Sequence, residues 1–188
     1  MRKYVGLLCA AALTVPAALM ITASPAAAAP VTSCGVAKGT ATFNPPLPKI
    51  GSTTKVKTQL KSKGTVSGCT GGGVKSGTTT FTGIRSKTGS NCSTLIAPKA
   101  SDAPTKGTIV IKWNTGKSST ASGFSIKQTD ATHATTTGKI TTGLFKGKVI
   151  KGIVEFKPET GGCTSKALAK VTYVNKNAQH KVVKFTVG

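Results

Sequence analysis

The feature that most constrains this chain is a period of two. Apolar and polar residues alternate in short runs over most of its length, with no sustained spacing of 3.6. Thr54, Val56, Thr58 and Leu60 share one parity, and Lys55, Lys57, Gln59 and Lys61 the other. Thr79, Phe81 and Gly83 alternate with Thr80, Thr82 and Ile84. Ile109, Ile111 and Trp113 alternate with Val110 and Lys112. The spacing recurs in Phe124 and Ile126, in Ile150, Val154 and Phe156, in Ala169, Val171 and Tyr173, and in Val183, Phe185 and Val187. Successive side chains of a strand point to opposite faces, so each run offers one face to a core and one to solvent. Glycine-containing turns at 68–73, 114–117 and 145–148 punctuate the runs. Helix signals are nearly absent. No helix-length segment joins two strands, which disfavours a parallel βαβ sheet. The expectation is an all-β antiparallel fold of about 8–9 strands, a β-sandwich of Ig-like architecture, with a small Greek-key barrel as the alternative. The immunoglobulin hallmarks fit in part. Trp113 lies between Cys92 and Cys163, but Gly161 stands where a tyrosine would precede the second cysteine by two.

The N-terminal segment has a different pattern. Arg2 and Lys3 precede an apolar run from Val5 to Ile21, and Ala-rich sequence with an A-x-A site follows. That is the layout of a secretory signal peptide, expected to be cut after Ala28. Residues 29–188 then read as one domain, with no further apolar stretch of membrane length. The expected location is secreted or extracellular, with cell-wall association as a further expectation from the surface charge.

Cys9 leaves with the leader, and Cys34, Cys69, Cys92 and Cys163 remain. An even count in an exported domain favours disulfides, and no two of the four have zinc spacing. Three pairings are open. Residues 44–52 (NPPLPKIGS) are turn-rich and are flanked by extended segments at 34–43 and 53–69. If those segments pair antiparallel, Cys34 meets Cys69, which leaves Cys92 for Cys163. In the chain-entropy description each bridge adds about 3–4 kcal/mol.

Several segments together carry a resemblance: APVTSC (29–34), GTVSGCTG (64–71), TIVIKWNTGKSST (108–120), ITTGLFKG (140–147) and Gly161-Gly162-Cys163. They resemble a group of small secreted four-cysteine proteins of actinobacteria. The resemblance spans nearly the whole chain after the leader, and its best marks are the KWNTG stretch and the cysteines. It implies export, two disulfides and an all-β domain, and it carries no activity.

Catalytic chemistry finds little material. Outside the leader there are His133 and His180, Asp102 and Asp130, Glu155 and Glu159. No G-x-S-x-G presents a serine nucleophile. His133 in a Thr-rich stretch and His180 in a polar turn read as solvated. Glu155 has the parity of Lys151 and Lys157 and reads as an outer-face ion-pair partner, with Glu159 beyond Pro158. Gly116-Lys117-Ser118 follows a strand, but Ile111 stands where a P-loop needs its first glycine, and 119–126 reads as strand rather than helix. Lys75-Ser76 fails likewise, because Val74 replaces the required glycine. Histidines and carboxylates are too sparse for a metal set. No cofactor or catalytic residue is assigned, and the chain reads as a non-enzyme. Trp113 shares parity with Ile109 and Ile111 and reads as core rather than as a sugar-stacking platform.

Charge is the loudest signal. The chain has 26 Lys+Arg against 4 Asp+Glu, a formal +22. Outside the leader only Arg85 is arginine, and the other 23 basic residues are lysine. Arginine gives bidentate recognition of phosphates and guanine edges whereas lysine is a point charge, so sequence-specific nucleic-acid binding is disfavoured. Spread evenly, such charges stand on the order of 19 Å apart, beyond the ~8 Å screening length at physiological salt. Strong attraction needs clustering. The candidate contacts are Lys55, Lys57, Lys61 and Lys63, and Lys146, Lys148, Lys151 and Lys157, with anionic cell-envelope or extracellular polymers as the partner. Recognition of a protein partner by loops of the sandwich is the alternative.

Overall fold

A computed structural model describes residues 31–85, 89–99, 102–176, 179, 181 and 184–188. The proposed leader and His180 lie outside the described residues. The chain forms strands β1 (Thr32–Leu47), β2 (Gln59–Thr70) and β3 (Ser76–Ile84), then a short helix α1 (Cys92–Ile96). Strands β4 (Thr105–Trp113), β5 (Ser118–Gln128), β6 (His133–Lys139) and β7 (Thr142–Gly143) follow. The last three are β8 (Val149–Pro158), β9 (Leu168–Val174) and β10 (Phe185–Val187).

Every main pairing is antiparallel and joins neighbours in the chain, from β1–β2 through β5–β6, β6–β8 and β8–β9. Strand β9 then pairs back onto β1, with Ala41 opposite Val171 and Thr40 opposite Thr172. The result is a closed eight-stranded barrel with extra strands, wound up and down. This corrects the sandwich expectation and bears out the barrel of the alternative, but not its Greek-key connectivity, because among the described residues the successive wall strands pair in chain order. Alternation reports only that one face of each strand is buried. It cannot say whether that face meets a second sheet or its own sheet curled round. The curling is a property of β1, which is 16 residues long and borders β2 on one side and β9 and β10 on the other.

The seam of the barrel has a further detail. Strands β9 and β10 occupy one position between β8 and β1: Val174 pairs with Glu155 and Lys38, while Thr186 pairs with Lys151 and Ser33. One strand of the wall is thus made of two pieces, β9 ending at Val174 and β10 starting at Phe185. Asn175 stands directly after β9. It is fully buried, accepts from the Ala37 amide at 2.9 Å and donates to the Gly35 carbonyl at 2.9 Å.

The parities of the sequence are those of the barrel. Phe81, Ile109, Ile111, Trp113, Phe124, Ile150, Phe156, Val171, Phe185 and Val187 are buried, whereas Thr80, Thr82 and Ile84 are exposed. Residues 118–128 form β5, as the strand reading of 119–126 required. The alternation expected at 54–60 holds in exposure only from Val56 to Leu60, since Thr54 is as exposed as Lys55; the regular strand starts at Gln59, and Val56 makes an isolated bridge to Ser90. Two elements were not legible: β6, whose HATTTGK has almost no apolar signal, and helix α1. The helix does carry a local signal. Asn91 caps it, accepting from the Thr94 amide, while Thr94 Oγ1 accepts from the Asn91 amide.

The two ends differ. At one end the connections are the tight turns 71–75 and 114–117 and the 140–148 segment, where Phe145 packs edge-on against Trp113 at 5.6 Å between ring centres. Trp113 donates from Nε1 to Ser119 Oγ at 2.8 Å, so the tryptophan is core, as its parity required. At the other end three of the four connections are long, and α1 sits among them. Cys92 on α1 is bonded to Cys163 in the β8–β9 connection. The Cys92 amide donates to the Pro48 carbonyl at 2.8 Å and the Ile50 amide to the Cys163 carbonyl at 2.7 Å. Three connections are thereby tied into one cap. The other bridge, Cys34–Cys69, joins register partners on β1 and β2. Both pairings are those expected.

Candidate functional site

The barrel interior is not filled. It encloses a cavity of about 130 Å³, whose wall is almost wholly apolar. Three reasons can be read from the lining. First, alanines stand at inward positions where larger residues would meet on the axis: Ala37 and Ala41 on β1 and Ala134 on β6. Second, rings lie over glycines of neighbouring strands. Tyr173 reaches across β1 to β2, and a Cβ on Gly39 would lie 2.6 Å from its hydroxyl. A Cβ on Gly138 would lie 2.8 Å from the Phe124 ring. Third, the aromatic set is small, at 5% of the chain. Rings seated on backbone rather than on side chains keep close to the wall, and the axis stays open.

The capped end has the polar side chains. Leu95 of α1 closes over the lumen, and beside it Arg85, Thr105, Ile126 and Gln128 line both the lumen and a second, outer pocket of about 280 Å³. Those four residues are the mouth between the two spaces. Lys55, Ser90, Thr94 and Asp102 line the outer pocket. Arg85 follows the last residue of β3, and its amide donates to the Thr58 carbonyl at 3.1 Å, which fixes its backbone. Its Nη2 donates to Gln128 Oε1 at 3.0 Å. Gln128 Nε2 donates to the Leu95 carbonyl and, at 2.9 Å, to the Asp130 carbonyl. Gln128 therefore holds the guanidinium, the helix and the β5–β6 turn together.

Burial pulls the Arg85 pKa down to about 10, against an opposing upward push from the Asp102 carboxylate. The group is still a cation at neutral pH. Among the described residues, Asp102 does not reach ion-pair distance of it, and its own Oδ2 accepts from the Lys99 amide at 2.8 Å.

The remaining sequence candidates lie elsewhere. His133 is not solvated, contrary to expectation. It is 5% exposed, and its Nδ1 is 2.9 Å from Asp130 Oδ1. Asp130 also accepts from the Thr132 and His133 amides at 2.8 and 2.9 Å, the pattern of an Asx turn closing the β5–β6 hairpin. Burial pushes the Asp130 carboxyl upward, but these hydrogen bonds outweigh it and hold the pKa below the ordinary value. Glu155 does have outer-face parity, yet it too is 5% exposed. It pairs with His133 across β6 and β8 and with Val174, the last residue of β9. Strand parity reads the face of a residue and is blind to what crosses that face. Glu159 accepts from the Ala169 amide at 2.9 Å. This bond first, and the charge of Lys166 after it, lower its pKa despite an opposing desolvation push.

All eight candidate lysines are exposed. Lys61 and Lys63 stand on the outer face of β2 between Thr40 and Thr42 of β1 and Thr80 and Thr82 of β3. Lys55 and Lys57 precede β2 at the capped end, Lys146 and Lys148 occupy the turn at the opposite end, and Lys151 and Lys157 lie on β8. They do not form a single patch. Exposed lysines also stand on β1 (Lys38), β4 (Lys106, Lys112), β5 (Lys127), β6 (Lys139) and β9 (Lys170), so the charge encircles the wall. The carboxylates do not follow it. Asp102, Asp130 and Glu159 all lie in connections at the capped end.

The two disulfides are compatible with an extracellular protein, and among the described residues no helix is long and apolar enough to cross a membrane. The fold and its cavity define a closed antiparallel barrel with an apolar lumen and a cationic mouth. No protein-family profile, curated protein or solved structure matches the chain.

Proposed function

We propose that this is an exported, non-enzymatic binding barrel that holds a small apolar molecule, or the apolar part of one, in its lumen. The observation that carries the reading is the apolar cavity of about 130 Å³ inside a closed wall. An eight-stranded barrel is just wide enough either to be filled by its own side chains or to hold one small ligand. Alanines and wall-seated rings leave this one unfilled. An apolar cavity of about 150 Å³ is known to stay dry and to admit benzene. The leader-like N-terminus and the two disulfides support export. Toluene provides the test. It should raise the melting temperature of the protein saturably, and Ala134→Leu, which puts a side chain into the lumen, should abolish the rise while leaving the fold intact. A melting temperature insensitive to toluene, benzene and hexane alike would refute the reading.

A second activity, association with anionic envelope polymers, is favoured by the segregation of charge. The lysines ring the wall while three of the four carboxylates stand at one end. Because the lysines are dispersed, such binding is electrostatic and diffuse. Retention on a teichoic-acid or heparin column should vanish by ~0.5 M salt. Retention unchanged at ~1 M salt would instead point to a specific partner.

A further inference from the structure

Arg85 is the only arginine outside the leader, among 23 lysines. It is also the only charged residue among the described residues that line the lumen. Its Nε is buried, with no acceptor among the described residues, and its one side-chain hydrogen bond there is to the neutral oxygen of Gln128. A half-buried cation whose Nε is shut off from water, and which lacks a close counter-charge, is stabilised by a ligand that neutralises it. The planar guanidinium fork matches a carboxylate in a way that an ammonium cannot. Among the described residues the lysines other than half-buried Lys176 are exposed, and arginine stands where a charge faces an apolar space. Asp102 does not fill this role, since its carboxylate is exposed and is engaged by the Lys99 amide.

We infer that the lumen takes a small amphipathic monocarboxylate, with its apolar body along the barrel axis and its carboxylate on the guanidinium of Arg85 at the mouth. The inference rests on the reading of the lumen as a ligand site and specifies the chemistry of its occupant. One cation fixed in place balances one negative charge. A dianionic headgroup would call on Lys55 in the outer pocket, which is exposed and hydrated. The size of the cavity suits a single phenyl ring or a short alkyl chain, and so a short or medium acid rather than a long-chain fatty acid.

The test is a matched pair of probes, 3-phenylpropionate and 3-phenyl-1-propanol, titrated calorimetrically into the protein at neutral pH. The acid should bind at least about tenfold tighter than the alcohol. Arg85→Gln should remove that preference by weakening the acid far more than the alcohol, and Arg85→Lys should restore only part of it. Equal affinities of acid and alcohol for the unaltered protein would overturn the carboxylate assignment and leave the lumen reading standing. Binding of neither probe would overturn both. If Arg85→Gln does not fold, the acid-to-alcohol ratio of the unaltered protein decides alone.

Discussion

Gln128, the last residue of β5, accepts a hydrogen bond at 3.0 Å from Arg85, the first residue after β3. Strands β3 and β5 are not neighbours, since β4 lies between them. The bond therefore spans the mouth of the barrel. The same glutamine holds the helix that covers that mouth, through the Leu95 carbonyl. Gln128→Ala should leave a desolvated guanidinium and two carbonyls without their donor. The expected loss is about 2–3 kcal/mol, because removing one partner of a buried polar pair exposes the full desolvation penalty of the other. Urea unfolding checks it, and a midpoint within error of the parent would show that the mouth is wetter than described.

Gly64 illustrates how the walls accept their rings. A Cβ there would collide with the Tyr173 hydroxyl and stand 2.6 Å from the Lys38 carbonyl. The hydroxyl could swing aside, but the carbonyl belongs to the β1–β2 ladder and cannot. Gly64→Ala is expected to destabilise the barrel by about 1–3 kcal/mol. Replacing Tyr173 with Phe in the Gly64→Ala background should recover only the part due to the hydroxyl. Full recovery would contradict the backbone clash.

Loss of the Cys92–Cys163 bridge should affect both stability and ligand exchange. The bridge closes a separation of 71 residues. In the chain-entropy description its removal by the double Cys→Ala replacement costs about 4 kcal/mol. The same bond fixes α1 over the lumen, so the variant should also release toluene faster, as read from exchange broadening of its NMR signals. Removing Cys34–Cys69, at the opposite end, should lower stability comparably without changing that rate.

Acid sensitivity should centre on the carboxylates held by backbone amides. Asp130 and Glu159 both have folded pKa values below their ordinary ones. The stabilisation that such groups give is fully present above the unfolded-state pKa, near 4, and is lost as the pH falls through the folded value. Stability should therefore decline on going from about pH 5 to pH 2. Asp130→Asn should start lower at neutral pH and show a shallower decline. A parallel decline in parent and variant would assign the acid sensitivity to other groups.

Arg85 titrates at the opposite extreme. Its folded pKa, about 10, lies below its ordinary value, so burial disfavours the charged form. The cost is present at neutral pH and is relieved as the pH rises from the folded toward the unfolded value. A bound carboxylate should reverse this by favouring the cation. The affinity for 3-phenylpropionate is accordingly expected to fall as the pH rises above about 10, while that for 3-phenyl-1-propanol changes little. Parallel pH profiles for the two probes would exclude Arg85 as the anchor.

Strand identity, facing and covalent cross-links were legible in the residues themselves. Period-two alternation sorts Phe81 from Thr80 and Ile111 from Lys112 whatever the strands pack against, because it reflects the geometry of a single extended chain. The Cys34–Cys69 bridge follows from one local hairpin, whose register only has to run on unbroken. Closure of the sheet was not legible. It depends on β1 meeting β9 across almost the whole sequence, and no local signal distinguishes that contact from the packing of two sheets. The burial of His133 and Glu155 on the outer face was hidden for the same reason. Alternation assigns each to a face and does not report how far that face is covered. The lone arginine among lysines was visible from the start. Its significance was not, because only the closed barrel places that side chain, one residue past the end of β3, at the mouth of an apolar lumen.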